Sequence, residues 1–395
     1  MADEILTLNA GSSSVKFSLV ETRGSGLAMH AVGEIDGLGG ARAHFKAKSA
    51  EGVVLVDRTL SSEEARGHEG ALNCLLGFLD DAFPQTRIAA VGHRVVHGGP
   101  EFDRPALIDD AVLAKLAALD SWAPLHQPHN IAGIRAARAA FPKAPQVACF
   151  DTAFHRGQTF ENDAYGLPRA LYDEGVRRYG FHGISYDYVS RRLAMEEPEI
   201  ATGRVIVAHL GNGASLCAIR AGRSIASTMG FSTLDGVPMG TRSGQIDPGV
   251  LLYLLQAKGY DANSLSDLLY KDSGLKGLSG ISNDMRDLEG SSDPNAARAI
   301  SYFAHRVRYE IGGLTSALGG LDALVFCGGI GEHSAHLRGL VMQGLGWLGI
   351  VGDDERNAAS AHKISADGSG VPVFVVPTNE ELRIAELSEQ FKLTD

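Results

Sequence analysis

Two stretches of small residues, each between two apolar runs, have the composition of anion-binding turns. The first covers residues 9–14 and is followed by Lys16, and the second covers residues 211–215 and follows His209. Small side chains let the backbone approach a ligand closely, while backbone N–H groups, serine hydroxyls and a lysine can hold an anion. The spacing is not that of a P-loop, because no Gly-Lys-Ser/Thr sequence follows a four-residue gap. We predict two phosphate-binding β-hairpins, with ordinary polar-tipped hairpins as the alternative.

A third glycine-rich stretch, residues 328–332, follows the apolar run 324–327 and ends in Glu332. Because a glutamate favours a helix N-terminus, a helix is predicted to begin there. The two hairpins lie in different halves of the chain and repeat the order strand, small polar turn, strand. This repetition predicts a duplicated α/β domain with a nucleotide between the copies, and two unrelated hairpins are the alternative.

Charged and imidazole side chains recur beside glycines or prolines at predicted strand ends and turns. These residues are His93, Arg94, His97, His126, Asp151, His182 and Arg242. A lone arginine is more often solvated, and a lone histidine more often structural, than catalytic. Taken together they predict a shared site for anionic ligands, because ligands of open α/β sheets bind outside strand ends.

Hydrophobic periodicity predicts the elements that must position these residues. Strands are predicted up to about residue 60 and at 88–96, 146–150, 205–210, 216–219, 324–327 and 371–376. Helices are predicted at 67–83, 109–119, 130–141 and 295–318, with a final helix starting near residue 380. The alternation indicates an α/β fold with mixed sheets and covering helices, repeated from about residue 205.

Composition and charge narrow the class of protein. With 395 residues, 44% of them hydrophobic, the chain can bury a sizeable core and is expected to form two domains. A formal charge of −11 argues against a nucleic-acid partner. The acidic start predicts that the protein has no signal peptide, and the lack of a long apolar stretch predicts that it has no membrane segment. We therefore expect a cytoplasmic protein. Cys74, Cys149, Cys217 and Cys327 are far apart, which predicts free thiols and no zinc site.

Eight segments resemble those of the acetokinase family, in that family's order and over nearly the whole chain. They cover residues 8–17, 93–99, 150–155, 179–183, 209–213, 239–244, 328–332 and 378–382. The most specific are Asn-Ala-Gly-Ser-Ser-Ser-x-Lys-Phe, His-Leu-Gly-Asn-Gly and Pro-Thr-Asn-Glu-Glu-Leu.

The resemblance implies the fold of acetate and sugar kinases, chaperone ATPases and actin: two duplicated actin-like, ribonuclease H-like domains around a nucleotide cleft. The first domain would comprise residues 1–150 and 383–395, and the second, nucleotide-binding and dimer-forming, residues 151–382. The implied activity is reversible transfer of the ATP γ-phosphoryl group to acetate, giving acetyl phosphate and ADP, with Mg²⁺ or Mn²⁺, in a cytoplasmic homodimer. Propionate kinases are closely similar, so propionate is the alternative substrate.

The resemblance also assigns roles by position. The metal-binding positions are Asn9 and Glu380, and the catalytic ones are Arg94, Asp151, His182 and Arg242. The acyl substrate is assigned to Arg94, Val96, Leu125, Phe181 and Thr233. The nucleotide is assigned to Ser12, Lys16, His209, Leu210, Gly211, Asn212, Gly213, Asp284, Met285, Arg286, Gly329, Ile330, Gly331, Glu332 and His333.

The implied chemistry needs no strong base, because carboxyl pKa values lie near 4 and the acid is already ionised at neutral pH. It needs two anions brought into line and the charge on the transferring group stabilised, for which arginines, histidine donors and magnesium are suited. Asp151 is therefore expected to orient an arginine or the water shell of the magnesium, and a covalent aspartyl-phosphate is the alternative.

Four positions depart from the family pattern. His333 stands in place of asparagine, Thr233 in place of proline, Pro100 in place of an acidic residue, and residues 184–186 read Ile-Ser-Tyr in place of Thr-Ser-His. They leave open the preferred nucleotide base, the preferred acid and the hydrogen bonding behind His182.

Two further functional classes share the implied fold. A non-transferring ATPase of the actin or chaperone type would have no use for Arg94, His182 and Arg242 around a small acid. A sugar kinase would need a hydroxyl-directed base and a polar pocket, which Val96, Leu125 and Phe181 do not provide.

Overall fold

The computed structural model describes residues 2–11, 13–23, 26–40, 42–124 and 126–392, and the chain divides into two compact units. Unit 1 comprises Met1–Phe154 and Asn379–Asp395, and unit 2 comprises His155–Thr378. The first boundary lies four residues beyond the expected residue 150, because the backbone N–H of Asp151 still donates to the carbonyl oxygen of Val95 in the sheet of unit 1 (3.0 Å). The second lies at Asn379, the residue that caps the last helix.

In the described part of unit 1, eight strands form one mixed sheet in the order β5-β4-β3-β2-β1-β6-β8-β7. Their bounds are β1 Ala2–Ala10, β2 Val15–Arg23, β3 Gly26–Asp36, β4 His44–Ser49, β5 Val54–Thr59, β6 Thr86–Val95, β7 Ala106–Leu107 and β8 Gln146–Phe150. The β1–β2 hairpin is antiparallel, whereas β1, β6 and β8 run parallel. The carboxyl ends of these three parallel strands therefore lie at one edge of the sheet.

Four helices belong to unit 1, numbered along the whole chain: α1 Gly67–Ala82, α2 Asp110–Ala117, α3 Gln127–Ala140 and α16 Glu380–Glu389. Two of them approach the sheet over glycines. A Cβ on Gly133 of α3 would lie 2.6 Å from that of Ala10, and one on Gly92 of β6 would lie 2.4 Å from Ser388 Oγ of α16. Both distances are too short for real atoms, so these glycines bring α3 and α16 to the site.

In unit 2, five described strands form a second sheet in the order β11-β10-β9-β12-β13. Their bounds are β9 Arg204–Leu210, β10 Ala214–Arg220, β11 Arg223–Ser227, β12 Ala323–Cys327 and β13 Val373–Val375. The β9–β10 hairpin is antiparallel and β9 is parallel to β12, which repeats the relation of β1, β2 and β6 in unit 1. The predicted duplication of an α/β unit is confirmed.

The helices of unit 2 are α4 Phe160–Asp163, α5 Arg169–Asp173, α6 Gly183–Glu196, α7 Pro198–Ala201, α8 Pro248–Ala257, α9 Ala262–Lys271, α10 Gly274–Ser279, α11 Met285–Glu289, α12 Pro294–Leu318, α13 Gly328–His333, α14 Ala335–Gln343 and α15 Asp354–Ala358. The long helix α12 packs on β9, β10 and β11 through the apolar face predicted from its periodicity. Its buried residues include Ile300, Phe303, Val307, Ile311, Leu314 and Leu318.

The four cysteines are free thiols, as predicted, and all but the half-buried Cys74 are buried. Within the described residues, every helix is too short or too polar to cross a membrane.

Candidate active site

An ion cluster lies at the carboxyl ends of β6 and β8 in unit 1. Arg94 donates from Nη2 to Asp151 Oδ2 (2.7 Å) and from Nε to Asp151 Oδ1 (3.1 Å). Its Nη1 lies 3.5 Å from Glu380 Oε2, in the first turn of α16. The side chains of Arg94 and Asp151 are only 18% and 2% exposed. Parallel pairing of β6 with β8 places the arginine and the aspartate side by side.

The charges of this cluster keep Arg94 cationic. Burial would lower the pKa of the guanidinium, but the carboxylates of Asp151 and Glu380 raise it well above its ordinary value. Asp151 accepts three N–H···O contacts from Arg94, so both of its oxygens are occupied in orienting the arginine. This geometry agrees with the expectation that Asp151 orients an arginine.

The first turn presents Asn9 and Lys16 as directly paired residues of β1 and β2. The backbone N–H of Gly11 donates to Ser14 O (2.8 Å), which closes the turn. Lys16 Nζ lies 3.8 Å from Glu34 Oε1, and its side chain is about half exposed. Ser12, which was assigned to this turn, and Leu125, which was assigned to the acyl group, lie outside the described residues.

Asn130 of α3 joins two backbone segments beside the assigned residues, and our reading of the sequence missed it. Its side-chain amide donates to Ala10 O (2.8 Å), and its Oδ1 accepts the backbone N–H of Val96 (3.0 Å). One buried side chain therefore ties the end of β1 to the residue that follows β6. The only signal in the sequence was a polar residue on the apolar face of α3.

His93 and His97 do not join Arg94, although the sequence grouped them with it. His93 Nε2 bonds Gln146 Oε1 (2.8 Å), and burial lowers the pKa of this imidazole to about 4. His97 Nδ1 accepts the backbone N–H of Gly99 (2.9 Å). His93 points away from Arg94 because successive side chains of a strand point to opposite faces.

The turn between β9 and β10 is bordered by two imidazoles in unit 2. The rings of His182 and His209 stack with centroids 4.4 Å apart and planes 21° apart. His182 caps α6 with a left-handed backbone (φ 57°), a strained conformation for a residue other than glycine. Such strain at a ligand-binding candidate is typical of functional sites.

Arg242 faces the same turn. A Cβ on Gly213 would lie 2.8 Å from Arg242 Nη2 and 3.3 Å from His182 Nε2, so both donors point at this glycine. Arg242 Nη1 donates to Thr233 O (2.9 Å), which fixes the guanidinium. The sequence-predicted residues Arg242, His182 and Gly213 therefore meet at one point.

A cavity of about 420 Å³ opens beside this turn within unit 2. Its lining includes eight of the residues assigned to the nucleotide: Gly211, Asn212, Asp284, Met285, Arg286, Gly329, Ile330 and His333. Three further lining residues were missed, namely Asn283, Glu289 and Ser334. Ser334, the N-cap residue of α14, donates a hydrogen bond from its hydroxyl to the carboxylate of Glu289.

Asp284 and Arg286 form a surface pair at this cavity. Asp284 caps α11 by accepting the backbone N–H of Arg286 (2.9 Å), and Arg286 Nη2 donates to Asp284 Oδ2 (2.6 Å). The hydrogen bonds from Arg286 lower the pKa of Asp284 to about 2. The pair is therefore ionised at neutral pH.

The side chain of Glu332 serves the turn rather than the cavity. Its Oε1 accepts hydrogen bonds from the backbone N–H groups of Gly328 (2.8 Å) and Thr378 (3.1 Å). The carboxylate therefore holds the first residue of α13 next to the segment that precedes α16. Leu210 is wholly buried in β9, and Gly331 is buried in α13. These three residues shape the site without lining the cavity.

Three of the residues assigned to the acyl group are buried. Val96 lies in unit 1, and Phe181 and Thr233 lie in unit 2. Phe181 is fixed through its carbonyl, which accepts a hydrogen bond from His155 Nε2 (2.9 Å).

The repeated sheet, a small-residue turn at the same place in each copy, and an arginine and imidazoles aimed at one of the turns define a phosphotransferase of the duplicated actin-like fold. Comparison with known proteins makes this class more specific. Residues 4–386 match the model of the acetokinase family, and the chain belongs to that family.

Named relatives and solved structures support this family membership. The chain is 53% identical to the acetate kinase of Nitrobacter hamburgensis over 97% of its own length and 95% of that protein. A propionate kinase structure from Francisella tularensis matches with a TM-score of 0.92 at 38% identity, covering 98% of this chain and 99% of that one. The acetate kinase structure of Porphyromonas gingivalis matches with a TM-score of 0.88 at 36% identity, with the same coverage.

Proposed function

We propose that the protein is an acetate kinase that reversibly transfers the γ-phosphoryl group of ATP to acetate, giving acetyl phosphate and ADP. The observation that carries the proposal is the convergence of Arg242 Nη2 and His182 Nε2 on Gly213, beside the cavity that includes Asn212 and Asp284. Two donors aimed at a glycine turn are suited to the charge on a transferring phosphoryl group.

The charged and imidazole side chains have separate proposed roles in the reaction. Arg94, held by Asp151, would bind the acetate carboxylate, and Arg242 and His182 would stabilise the transferring phosphoryl group. The acetate is ionised at neutral pH and attacks phosphorus directly, so no residue has to remove a proton. Bringing two anions into line is the main task.

The two residues assigned to the metal have side chains of the kind that a magnesium ion binds. Glu380 offers a carboxylate and Asn9 an amide oxygen, the ligand types that Mg²⁺ prefers, and its other positions go to waters and phosphates. When bound, the ion would neutralise phosphate charge as the transferring group moves.

We assign the adenosine to the cavity lined by Asp284, Met285, Gly329 and His333. Gly329, which follows β12 in α13, lines this cavity, and a Cβ built on it would meet nothing within 4 Å, so a ligand has room for close approach. His333 lies at the end of α13, where the family has asparagine. Through this residue the preferred nucleotide base would differ from that of relatives with asparagine.

The protein is expected to act as a homodimer through α8. Eight of the ten residues of this helix are exposed, although it is largely apolar. Leu252 and Tyr253 are 55% and 52% exposed, and Ile246, Val250 and Leu255 extend the patch. A contiguous apolar face of this kind on a water-exposed helix indicates a protein contact, and a second copy of the chain is the common partner.

Propionate is the second candidate substrate, because the propionate kinase of Francisella tularensis matches this fold with a TM-score of 0.92. Acetate and propionate carry the same carboxylate, and propionate is larger by one methylene group.

The test is acyl phosphate formation with acetate, propionate and butyrate, trapped as hydroxamate, with ATP and magnesium. We expect hydroxamate from acetate above all. Comparable or faster formation from propionate would replace acetate kinase by propionate kinase. ADP release without hydroxamate from any acid would overturn both and leave a non-transferring ATPase.

A further inference from the structure

We propose that two buried hydroxyl relays hold His182 and His209 as neutral imidazoles with the proton on Nε2. Each relay consists of a serine at Nδ1 of the imidazole and a second hydroxyl behind that serine. The pair then presents two N–H donors, one from each ring, to the glycine turn 211–213. This inference rests on the proposed function only for what the donors bind, a phosphate group.

The first relay runs from Tyr186 through Ser215 to His182. Ser215 Oγ lies 2.8 Å from His182 Nδ1, and the hydroxyl of Tyr186 also contacts Ser215 Oγ. Tyr186 and Ser215 are wholly buried, and Ser215 pairs with His209 across the β9–β10 hairpin. The serine is therefore fixed under both rings.

The second relay runs from Thr378 through Ser185 to His209. Ser185 Oγ lies 2.8 Å from His209 Nδ1 and 2.8 Å from Thr378 Oγ1. Ser185 is wholly buried in the first turn of α6, three residues after the strained His182. Each histidine thus has a serine hydroxyl at Nδ1, although the second hydroxyl is a phenol in the first relay and a threonine in the second.

The direction of the hydrogen bonds follows from the acidity of the groups. A phenol, with a pKa near 10, is a better donor than an aliphatic alcohol, so Tyr186 donates to Ser215 and Ser215 donates to His182 Nδ1. An Nδ1 that accepts leaves the ring proton on Nε2. The matching distances at Ser185 support the same orientation for His209.

The stacking disfavours two charged rings, because two imidazolium ions with centroids 4.4 Å apart would repel each other in a buried site. Neutrality of each ring follows from its own Nδ1, which accepts a hydrogen bond from a serine. The Nε2 edges face the turn: a Cβ on Gly213 would lie 3.3 Å from His182 Nε2, and one on Gly211 would lie 4.0 Å from His209 Nε2. Two neutral N–H donors stabilise an anion there without the cost of burying further charge.

The tautomers can be read directly by ¹⁵N NMR of the full-length protein with ring-labelled histidine, with His182→Asn and His209→Asn used to assign the signals. We expect unprotonated Nδ1 and protonated Nε2 in both rings of the wild-type protein. Protonated Nδ1 in either ring would overturn the inference. This readout does not depend on activity, so it fails separately from the proposed function, which fails if wild-type protein makes no acyl phosphate.

Kinetics with matched variants give the second readout. Ser215→Ala and Ser185→Ala are expected to lower kcat for acetyl phosphate formation by about 10- to 100-fold, the usual effect of losing an orienting hydrogen bond behind a functional histidine, with KM for ATP changed less than threefold. Tyr186→Phe should have a smaller effect in the same direction, and Ser215→Thr, which keeps the hydroxyl, should restore most of kcat.

Ser190→Ala is the control. Ser190 lies on the same helix, α6, and within the described residues its buried hydroxyl has no hydrogen-bond partner. We expect this variant to behave as wild type. Equal losses in Ser190→Ala and Ser215→Ala, or normal tautomers in Ser215→Ala, would show that the serines act on stability alone and would overturn the relay.

Discussion

The two arginines assigned to the reaction are held by different kinds of groups. In unit 1, Arg94 is surrounded by the carboxylates of Asp151 and Glu380, at 2.7 and 3.5 Å. In unit 2, Arg242 donates to the carbonyl of Thr233 and borders the Gly213 turn together with the imidazole of His182. Two carboxylates position an arginine and also neutralise much of its charge, whereas a carbonyl oxygen or an imidazole adds no full negative charge of its own. We therefore expect the two arginines to respond differently when substrate binding is measured.

The largest expected effect is the loss of either arginine. Arg94→Ala and Arg242→Ala should each lower kcat/KM by about 10³-fold or more while the protein stays folded. KM for acetate distinguishes the two arginines: it should rise in Arg94→Ala and change much less in Arg242→Ala.

Arg169→Ala is the control for this pair of variants, because Arg169 forms an exposed pair with Asp173. Thermal unfolding should confirm that all three variants are folded. Activity within tenfold of wild type in Arg94→Ala or Arg242→Ala would remove that residue from the reaction.

A second prediction uses one buried histidine from each unit. Burial lowers the pKa of His93 in unit 1 and of His155 in unit 2 to about 4. In the unfolded chain these side chains take up a proton near pH 6.5, whereas in the folded protein they stay neutral to about pH 4. The free energy of unfolding should therefore fall by about 3 kcal/mol per histidine as the pH drops from 6.5 to 4, with no loss above 6.5.

Urea unfolding from pH 7.5 to 4 measures this. His93→Gln and His155→Gln should each flatten the pH dependence by close to one proton, although both start from a lower stability. If the units unfold separately, each variant should change only the transition of its own unit. An unchanged pH slope in both variants would contradict the assignment of neutral buried imidazoles.

The third prediction concerns the carboxylate beside Arg94. Glu380→Gln should raise the magnesium concentration for half-maximal rate by about tenfold, because the amide removes a charged oxygen ligand. Glu389→Gln, at the far end of α16, is the control and should leave the magnesium titration unchanged. Coincident titrations for Glu380→Gln and wild type would leave Glu380 as a helix N-terminal charge worth less than about 1 kcal/mol.

The smallest predicted effect concerns the size of the acyl group. Propionate should lag acetate by about tenfold in kcat/KM, the low end of what one methylene is worth in an apolar pocket, and butyrate should be poorer still. Thr233→Pro should leave this ratio nearly unchanged or sharpen it slightly, because the two side chains are close in volume. Equal kcat/KM for propionate and acetate would refute the assignment of Val96, Phe181 and Thr233.

What the sequence predicted well was local. The two hairpins, α1, α12 and the start of α16 follow from periodicity, turn composition and capping, all of which act within a few residues. The cavity residues near Gly211, Asp284 and Gly329 were found through specific motifs. The apolar helix α8 drew no attention, because exposure of its side chains is a property of the folded unit.

What the sequence did not reveal depends on contacts between distant residues. Asn130 bonds Ala10, which is 120 residues away, and Ser185 bonds Thr378, which is 193 residues away. No local pattern distinguishes these buried polar residues from ordinary core positions. Glu332 was assigned to the nucleotide by its motif, and only the structure shows its carboxylate satisfying Gly328 and Thr378.

The central claim is that acetate itself attacks the γ-phosphorus of ATP, with Arg94 and Arg242 as the arginines proposed to act in the reaction. The most direct measurement is ³¹P NMR of wild-type enzyme with ATP, magnesium and acetate labelled with ¹⁸O in the carboxylate. We predict one acetyl phosphate per ADP, with an ¹⁸O isotope shift from the bridging oxygen, and no ADP when acetate is left out. ADP and unlabelled inorganic phosphate formed at the same rate with or without acetate would contradict the account.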